Sequence, residues 1–273
     1  MVSNQTGQPA KPDSDLDSLS LPGEASVLLA SDMHLGEHDP ASAQWFTTAL
    51  QQLDGSYSHL ILLGDLFEAW IGDDQTDPVA LSFLETLAQI SAKRPVYVMR
   101  GNRDFLLNLP LPDSAGAASF SRQTGAQLLA DPCRLTLGSR QWLLAHGDAL
   151  CTDDLAYQAF RQESRQASWA ATFLAQSLEQ RSIIARQMRL ESQTATSNKP
   201  ENLTDVNPQS VQETLDKHGL TDLIHGHTHR PAHHHWAVAG VDYSRHVLSD
   251  WDGADQRGGF FRLDAAGLRD AAA

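Results

Sequence analysis

Residues 59–65 read HLILLGD, in which four large apolar residues are followed by a glycine and an aspartate. A continuous apolar run of this length is typical of a strand buried on both faces. Gly64 lets the backbone bend sharply after the run, because glycine adopts conformations that other residues avoid. The stretch therefore predicts a central strand that presents Asp65 at its carboxyl end.

Four further runs repeat this pattern along the chain. They are SVLLASD (26–32), PVYVMRGN (95–102), QWLLAHGD (141–148) and TDLIHGH (221–227). Stretches with helical spacing separate the runs. This alternation indicates an α/β fold in which helices pack over a central sheet.

Side chains that can bind metals follow each of the five runs. In chain order they are Asp32 and His34, then Asp65, then Asn102, then His146, and finally His225, His227 and His229. One such residue at a strand end would be an ordinary cap or turn residue. Five such ends predict a ligand site, because open α/β sheets bind their ligands at the carboxyl ends of the strands.

The donors in this set indicate a transition-metal site. Carboxylates, an amide oxygen and imidazoles, without a thiolate, suit manganese, iron, cobalt or zinc better than a structural zinc site. An aspartate shared by two ions would hold them about 3.5–4 Å apart, and such a pair activates water and stabilises phosphoryl transfer. The ligands alone leave the choice of metal open.

Composition excludes several other classes of protein. The 273 residues carry a net charge of −14 and are 41% hydrophobic, which supports a sizeable core and argues against a general nucleic-acid binder. The sequence lacks the roughly 20-residue apolar stretch that crosses a bilayer, and it lacks a signal-peptide pattern. We therefore expect a cytoplasmic protein with no nucleic-acid partner and no obligate protein partner.

The chain divides into a tail and one domain. Residues 1–24 are rich in Ser, Asp, Pro and Gly and are predicted to be a disordered tail, while residues 25–273 form the domain. Within the domain, the strand pattern gives way at about 154–207 to a long helical insertion. Between Leu155 and Lys199 six basic residues stand against three acidic ones. This basic amphipathic stretch suits phosphates or an anionic membrane surface, and a solvated helix face and core packing are the alternatives.

Five short blocks resemble the motifs of the calcineurin-like metallophosphoesterases, in the same order. The blocks are SDMHL (31–35), GDLFEAW (64–70), GNRD (101–104), HGD (146–148) and HGHTH (225–229). The resemblance implies a β-sandwich core flanked by helices, with two metal ions. It assigns one ion to Asp32, His34, Asp65 and His229, and the other to Asp65, Asn102, His146 and His227, so that Asp65 is the bridge.

Arg103 departs from the superfamily pattern, in which a histidine follows the motif's asparagine and is taken to assist the leaving group. Arginine does not act as an acid near neutral pH, but its planar fork can bind two phosphate oxygens. Arg103 therefore predicts a leaving group that needs little protonation. The phosphate of an anhydride meets this condition better than the alcohol of a simple monoester.

Longer blocks are similar to the UDP-2,3-diacylglucosamine hydrolase family of the lipid A pathway. They are GDLFEAWIGDD (64–74), GNRDFLL (101–107), HGDALCTDD (146–154) and LIHGHTHRPA (223–232). The resemblance implies a lipid-linked nucleotide substrate, UDP-2,3-diacylglucosamine, hydrolysed at its pyrophosphate to 2,3-diacylglucosamine 1-phosphate and UMP. It also implies two Mn²⁺ ions, a helical lid, and peripheral contact with the cytoplasmic face of the inner membrane.

The same resemblance carries residue roles onto this chain. Catalytic roles fall on Asn102, Arg103 and His146. Substrate contacts fall on Asn102, Arg103, Asp154, Ser192, Thr196, Lys199 and His227. Thr196 stands where the family commonly has asparagine, and a hydroxyl would replace that hydrogen bond only in part.

The residues are also compatible with two other functions. One is another metallophosphoesterase that acts on a soluble nucleotide or phosphodiester. The other is a scaffold protein that keeps the fold without catalysis. The intact set of metal donors argues against a scaffold.

Overall fold

Two β-sheets form the centre of the molecule, and helices cover their outer faces. A computed structural model describes residues 16–111, 119–197 and 203–271. In this part of the chain the strands are β1 (Ser18–Leu21), β2 (Val27–Ala30), β3 (His59–Leu63), β4 (Val96–Met99), β5 (Gln127–Leu129), β6 (Cys133–Leu137), β7 (Arg140–Ala145), β8 (Asp222–His225), β9 (Ala232–Val238), β10 (Val241–Val247), β11 (Phe260–Asp264) and β12 (Gly267–Ala271). The α-helices are α1 (Pro40–Gln52), α2 (Pro78–Ser91), α3 (Phe120–Thr124), α4 (Leu155–Ser164), α5 (Ala167–Leu174), α6 (Leu178–Ser197) and α7 (Pro208–His218).

Each sheet contains six of the described strands. The order is β12-β11-β2-β3-β4-β5 in the first sheet and β1-β6-β7-β8-β10-β9 in the second. The central strands are parallel: β2 to β5 in the first sheet, and β7, β8 and β10 in the second. Because parallel strands end at the same edge of a sheet, the loops after β2, β3 and β4 are neighbours, as are those after β7 and β8.

The two sheets pack face to face through alternate side chains. Leu29, Ile61 and Met99 of the first sheet share a buried cluster with Leu144 and Ile224 of the second. The intervening side chains of β2 to β4 pack against α1 and α2, and those of β7 and β8 pack against α7. The predicted α/β fold, with a β-sandwich core flanked by helices, is confirmed.

Three of the helices begin with the same local device. Asp39, Asp77 and Asn207 each precede a proline, and each side chain accepts a hydrogen bond of 2.9–3.0 Å from the backbone N–H three residues further on. Proline suits the first helical position, because its missing N–H would have no partner there. The helices α1, α2 and α7 therefore start where the sequence has an Asx–Pro pair.

The helices α4, α5 and α6 follow one another where the strand pattern stops. Ion pairs attach this segment to the core at α4 and at the first turn of α6, and each pair has one buried partner, Asp148 or Arg181. Arg161 on α4 donates to Asp148 at 2.8 Å, and Arg181 on α6 donates to both oxygens of Asp74 at 2.8 and 2.5 Å. Removing one partner of such a pair would leave a buried charge without compensation.

None of the helices in the described residues is both long and apolar enough to cross a membrane.

Strand β1 corrects the predicted extent of the disordered tail. Ser18–Leu21 pairs in parallel with β6, and Leu21 is buried between the sheets. Composition was misleading here because a strand at a sheet edge buries only one face, so the short alternation SLSL is sufficient. The rest of the predicted tail, residues 1–15, lies outside the described residues.

Candidate metal centre

The loops that follow five strands, drawn from both sheets, meet in one site. Their donor atoms form two groups, within each of which the atoms lie no more than 4.8 Å apart: Asp32, His34 and His229 in one, and Asp65, His146 and His227 in the other. Each group combines residues of both sheets. The site therefore exists only when the sandwich is assembled.

Asp32 is at the centre of the first group. His34 Nε2 and His229 Nε2 are 3.1 Å apart, and His229 Nε2 is 3.5 Å from Asp32 Oδ1. Asp32 Oδ2 accepts a hydrogen bond of 2.8 Å from the backbone N–H of His227. Asp32 Oδ1 is buried and accepts no hydrogen bond from any described residue, so one oxygen fixes the carboxylate while the other faces two imidazoles.

Asn102 joins the second group. Its Oδ1 lies 3.0 Å from His146 Nε2 and 2.8 Å from His227 Nδ1. His146 Nε2 is also 3.6 Å from Asp65 Oδ1. An amide oxygen, a carboxylate and two imidazoles thus converge.

These separations fit divalent ions. Ligands at about 2.0–2.2 Å from one ion lie ~2.8–3.6 Å from each other in octahedral or tetrahedral geometry. The five donor–donor distances given above, from 2.8 to 3.6 Å, fall in that range. Because the donors are nitrogen and oxygen without sulfur, and because Asp32 Oδ1 is a buried acceptor that an ion would satisfy, the residues fit two divalent transition-metal ions.

His146 is oriented for binding by a backbone group. Its Nδ1 donates to the Leu63 carbonyl at 2.9 Å, which leaves Nε2 facing the other donors. Burial opposes a charge on this ring, but Asp65, Asp32 and Asp148 outweigh burial and raise its pKa to about 9. The carboxylates thus favour a positive charge at Nε2, and a metal ion would supply it in place of the proton.

Three of the other donors, Asp32, His34 and His227, have pKa values shifted toward the forms that bind a metal. Burial alone would raise the pKa of Asp32, but the interactions with His229 and the other imidazoles hold that pKa well below its ordinary value. Burial lowers the pKa of His227 to about 3 and holds the pKa of His34 well below its ordinary value. An ionised carboxylate and neutral imidazoles are the forms in which these residues bind metal ions.

Backbone conformation also marks the site. Five of its residues have left-handed φ angles: Asp32 (55°), His34 (49°), Asp65 (52°), His227 (68°) and His229 (53°). This conformation is uncommon outside glycine and costs on the order of 1–3 kcal/mol for each residue. Strain that recurs in neighbouring loops is typical of functional sites, where the surrounding structure holds it in place.

Gly101 allows the loop after β4 to approach Asp65 closely. A Cβ atom at this position would lie 2.1 Å from Asp65 Oδ1 and 2.4 Å from the Asp65 backbone nitrogen. We expect Gly101→Ala to displace Asp65 and to lower turnover by about 10²-fold, the effect of a misplacement of roughly 1 Å at a reacting centre. Steady-state rates and a Mn²⁺ titration followed by electron paramagnetic resonance measure this.

Gly259→Ala is the matched control for this substitution, because nothing lies within 4 Å of its added Cβ. Equal rates and equal manganese content for Gly101→Ala and Gly259→Ala would contradict the expected crowding of Asp65.

Asp104 braces the loops that carry the second donor group. It is fully buried, and its two oxygens accept backbone hydrogen bonds of 2.6 Å from Gly101 and from Leu66. Burial and the nearby Asp65 raise its pKa to about 7. Asp104 therefore ties the loop after β3 to the loop after β4.

Asp250 supports His229 from behind. Asp250 is 4% exposed, its Oδ2 lies 3.4 Å from His229 Nδ1, and Arg257 donates to it at 2.8 and 3.2 Å. A carboxylate behind a metal-binding histidine fixes the ring and raises its basicity. The geometry gives Asp250 this role toward His229.

We expect Asp250→Asn to weaken the binding of one of two Mn²⁺ ions by about 10–100-fold, the usual effect of losing such a partner. A stepwise Mn²⁺ titration with resonance detection resolves the two affinities. Asp255→Asn is the control, since Asp255 faces Arg257 at 3.7 Å and is 70% exposed. Unchanged affinities in Asp250→Asn would show that Asp250 does not orient the ligand.

A cavity of about 380 Å³ lies between the core and the α4–α6 segment, beside the donor groups. Asn102 and Arg103 line it, and the Arg103 backbone N–H donates to Asp65 Oδ1 at 2.8 Å. Its apolar lining includes Trp70, Ile71, Phe105, Leu106, Phe160, Trp169, Phe173 and Met188. The cavity thus has a polar end beside the metal donors and is apolar along the rest of its length.

The structure brings the seven predicted metal-binding residues together. Of the predicted substrate contacts beyond them, Arg103, Asp154 and Ser192 line the cavity. Thr196 belongs to α6, and Lys199 lies outside the described residues.

Sequence reasoning missed several carboxylates that support the site. Asp104 is the last residue of GNRD, so the quoted motif contained it without revealing its role. Asp250 follows β10 and is remote in sequence from His229, so no local pattern connects the two. Only the assembled sandwich places it behind that ring.

Comparisons with known proteins agree with this geometry. The family model described as calcineurin-like phosphoesterase matches residues 25–231. A UDP-2,3-diacylglucosamine hydrolase of Chromobacterium violaceum is 44% identical over 248 residues, which cover 89% of this chain and 97% of the relative. Relatives of the same name from Bordetella parapertussis, 43% identical over 93% of this chain and 96% of the relative, and from Stenotrophomonas maltophilia, 40% identical over 89% and 96%, are similar along the same length.

Proposed function

Since the chain belongs to the calcineurin-like phosphoesterase family and, within it, to the UDP-2,3-diacylglucosamine hydrolases, we propose that it hydrolyses the pyrophosphate bond of UDP-2,3-diacylglucosamine in lipid A biosynthesis. The observation that carries the proposal is the union of two metal-donor groups, Arg103 and an apolar cavity in one site. Such a site suits a substrate that joins a phosphoanhydride to acyl chains.

The reaction consumes one water molecule. Its oxygen bonds to the phosphorus on the uridine side, and the bond from that phosphorus to the bridging oxygen breaks. The products are UMP and 2,3-diacylglucosamine 1-phosphate. The leaving group departs as a phosphate, which is a stable anion at neutral pH and needs no strong general acid.

Seven residues would hold two Mn²⁺ ions: Asp32, His34, Asp65 and His229 for one, and Asp65, Asn102, His146 and His227 for the other. The oxygen and nitrogen donors support manganese, although they would also accept other divalent transition metals. When bound, the ions supply Lewis-acid chemistry that acidifies water and offsets charge on phosphoryl oxygens. Asp65 is the proposed bridge, since it lies among donors of the second group and close to Asp32 of the first.

Arg103 has the chemistry that this leaving group requires. Its planar guanidinium can donate to two phosphate oxygens at once. The hydrogen bond from its backbone to Asp65 ties its position to the metal donors. A fixed cation beside the reacting phosphorus stabilises the negative charge that develops in the transition state.

The cavity suits the acyl chains. Each methylene that leaves water contributes about 0.8 kcal/mol to binding. A cavity with an apolar lining therefore binds long acyl chains more tightly than short ones. The rings of Trp169 and Phe173 stack with their centroids 5.2 Å apart, and Phe105 lies 5.7 Å from Trp169. These rings give the cavity an aromatic wall.

We expect Trp169→Ala to raise KM for the diacyl substrate by about 10-fold. This change corresponds to a loss of roughly 1.4 kcal/mol of binding free energy, which removal of a large aromatic contact readily causes. Hydrolysis of the short substrate bis(4-nitrophenyl) phosphate should change little. Leu81→Ala is the control, since Leu81 is 38% exposed on α2, outside the α4–α6 segment. A Trp169→Ala enzyme that lost both activities equally would contradict a role confined to the acyl chains.

The α4–α6 segment is the proposed lid, part of an insertion at about 154–207 within a domain that begins near residue 25. Apolar side chains on its outer surface support peripheral contact with the inner membrane from the cytoplasmic side. Leu155, Ile183 and Leu190 are 77%, 57% and 58% exposed, and Arg186 is exposed on the same helix as the latter two. Apolar and basic side chains together favour an anionic lipid surface.

The remaining substrate contacts are proposed from the family resemblance. Asp154 and Ser192 line the cavity, which supports contacts with the glucosamine or its phosphate. Thr196 and Lys199 follow at the end of α6 and just beyond it. His146 and Asn102 are proposed to act as catalytic residues through the metal centre.

The test compares UDP-2,3-diacylglucosamine in detergent micelles with water-soluble UDP-N-acetylglucosamine, each with Mn²⁺ and with a chelator. We expect kcat/KM to favour the lipid substrate by roughly 100-fold or more, since a few buried methylenes supply that difference. Comparable hydrolysis of a soluble nucleotide or phosphodiester would instead identify a metallophosphoesterase of another specificity.

A further inference from the structure

Glu68 lies between two arginines at the polar end of the cavity. Its Oε1 is 3.1 Å from Arg103 Nη1 and is in contact with Arg189 Nε. All three residues line the cavity together with Asn102. A single carboxylate oxygen is therefore shared by two guanidinium groups.

Neither contact has the geometry of a regular hydrogen bond. Arg103 Nη1 and Arg189 Nε are both buried, and neither makes a hydrogen bond of regular geometry with any described residue. A buried donor without an acceptor destabilises the protein by its desolvation free energy, and this penalty is larger for charged groups. Two charged donors thus point at the same place and lack a well-placed acceptor.

Arg189 differs in this respect from the other arginine that α6 directs toward the core. Arg181 donates to both oxygens of Asp74 and is 3% exposed, and neither residue lines the cavity. That pair attaches the helix to the loop before α2. Arg189 lies eight residues, about two turns, further along α6, and its contact lies where a ligand would bind.

Charge balance favours an anionic ligand at this place. Two guanidinium groups share the Glu68 carboxylate, and the other carboxylate nearby, Asp65, whose Oδ2 lies 4.0 Å from Arg103 Nε, is a proposed metal ligand. A diphosphate would bring about two negative charges to this cationic place. The ligand would compensate both arginines, whereas Glu68 would face its phosphate oxygens as a like charge.

We propose that Arg189 is a second guanidinium for the diphosphate of the substrate, and that Glu68 holds the place of a phosphate oxygen between Arg103 and Arg189 until the ligand displaces it. The diphosphate as ligand rests on the proposed function. By this arrangement the helix α6, which also lines the acyl cavity, contacts the phosphates directly through one side chain.

Loss of the Arg189 charge and loss of the Glu68 charge should have opposite effects on the affinity for a diphosphate. Loss of Arg189 removes one charge-assisted contact and weakens the binding of a diphosphate. Loss of the Glu68 charge removes the competing anion and strengthens it. If Glu68 only positioned Arg103, its neutralisation would weaken binding instead, so the sign of the effect separates the two roles.

The experiment uses the full-length, manganese-loaded protein and methylenebisphosphonate, a diphosphate analogue that is not hydrolysed. Isothermal titration gives Kd for the wild type, Arg189→Ala, Glu68→Gln and the control Arg186→Ala, which removes the same charge from an exposed position of the same helix. We expect Kd to rise about 10-fold in Arg189→Ala, to fall about 3–10-fold in Glu68→Gln, and to stay within twofold in Arg186→Ala, since charge-assisted bonds have about this strength.

Manganese content is measured for each variant, because Glu68 Oε2 lies 3.9 Å from His34 Nδ1. An Arg189→Ala protein that matches Arg186→Ala would overturn the proposal, as would a higher Kd in a Glu68→Gln protein with full manganese. If Glu68→Gln loses manganese, the comparison of the two arginine variants decides. The probe carries no uridine or lipid, so these shifts would stand even if the lipid substrate were not hydrolysed.

Discussion

Asp65→Ala is expected to lose bound divalent metal and to lower kcat/KM by roughly four orders of magnitude or more. Asp65 is the proposed bridge between the two metal ions. Two metal ions held close together make water a strong nucleophile at neutral pH. The buried carboxylate also accepts the Arg103 backbone N–H at 2.8 Å. One substitution therefore removes a ligand of both ions and the support of the phosphate-binding arginine.

Metal analysis by mass spectrometry and the rate of UMP release measure this effect. Mn²⁺ should raise the melting temperature of the wild type, because an ion that binds only the folded state stabilises it, and should not raise that of Asp65→Ala to the same extent. Asp54→Ala is the control, since Asp54 is a surface carboxylate paired with Lys93 and Arg94. An Asp65→Ala protein with two ions and normal turnover would refute the dinuclear centre.

Arg103→Ala is expected to lower kcat/KM by about 10²–10³-fold while manganese content is retained, because one preorganised donor to a transition-state oxyanion has this effect. Arg103→Lys should recover part of the rate, since lysine keeps the charge but not the planar fork. Arg103→His should not restore it at neutral pH, because the leaving phosphate needs a cation more than it needs an acid.

Rates for the three variants and for Arg186→Ala, measured under the same conditions, test this order. Manganese content in Arg103→Ala separates a direct role from damage to the metal centre. Wild-type activity in Arg103→His would show that the position acts as a proton donor or is dispensable.

The strand ends were predictable because the physics there is local. In HLILLGD the apolar run fixes a buried strand, and the glycine and aspartate that follow mark its end. The same reasoning placed Asp32, Asn102, His146 and His227 at strand ends, and the sandwich gathers them. The family resemblance, which predicted the fold and the relatives, rests on the same residues.

The supporting residues were not predictable because their roles depend on contacts between distant segments. Asp250 meets His229 only when the end of β10 folds beside the loop after β8. Glu68 meets Arg189 only when α6 packs over the site, and nothing in the sequence aligns the two. Strand β1 was missed for another reason, because a short edge strand with one buried face needs too few apolar residues to stand out in composition.

Hydrolysis of UDP-2,3-diacylglucosamine in ¹⁸O-labelled water, with the product masses measured by mass spectrometry, identifies the phosphorus that water attacks. We expect UMP with one ¹⁸O atom and unlabelled 2,3-diacylglucosamine 1-phosphate, formed with Mn²⁺ and not with a chelator. Label in the lipid phosphate would contradict attack on the uridine side, and no UMP from this substrate while a soluble phosphodiester is cleaved would contradict the proposed substrate.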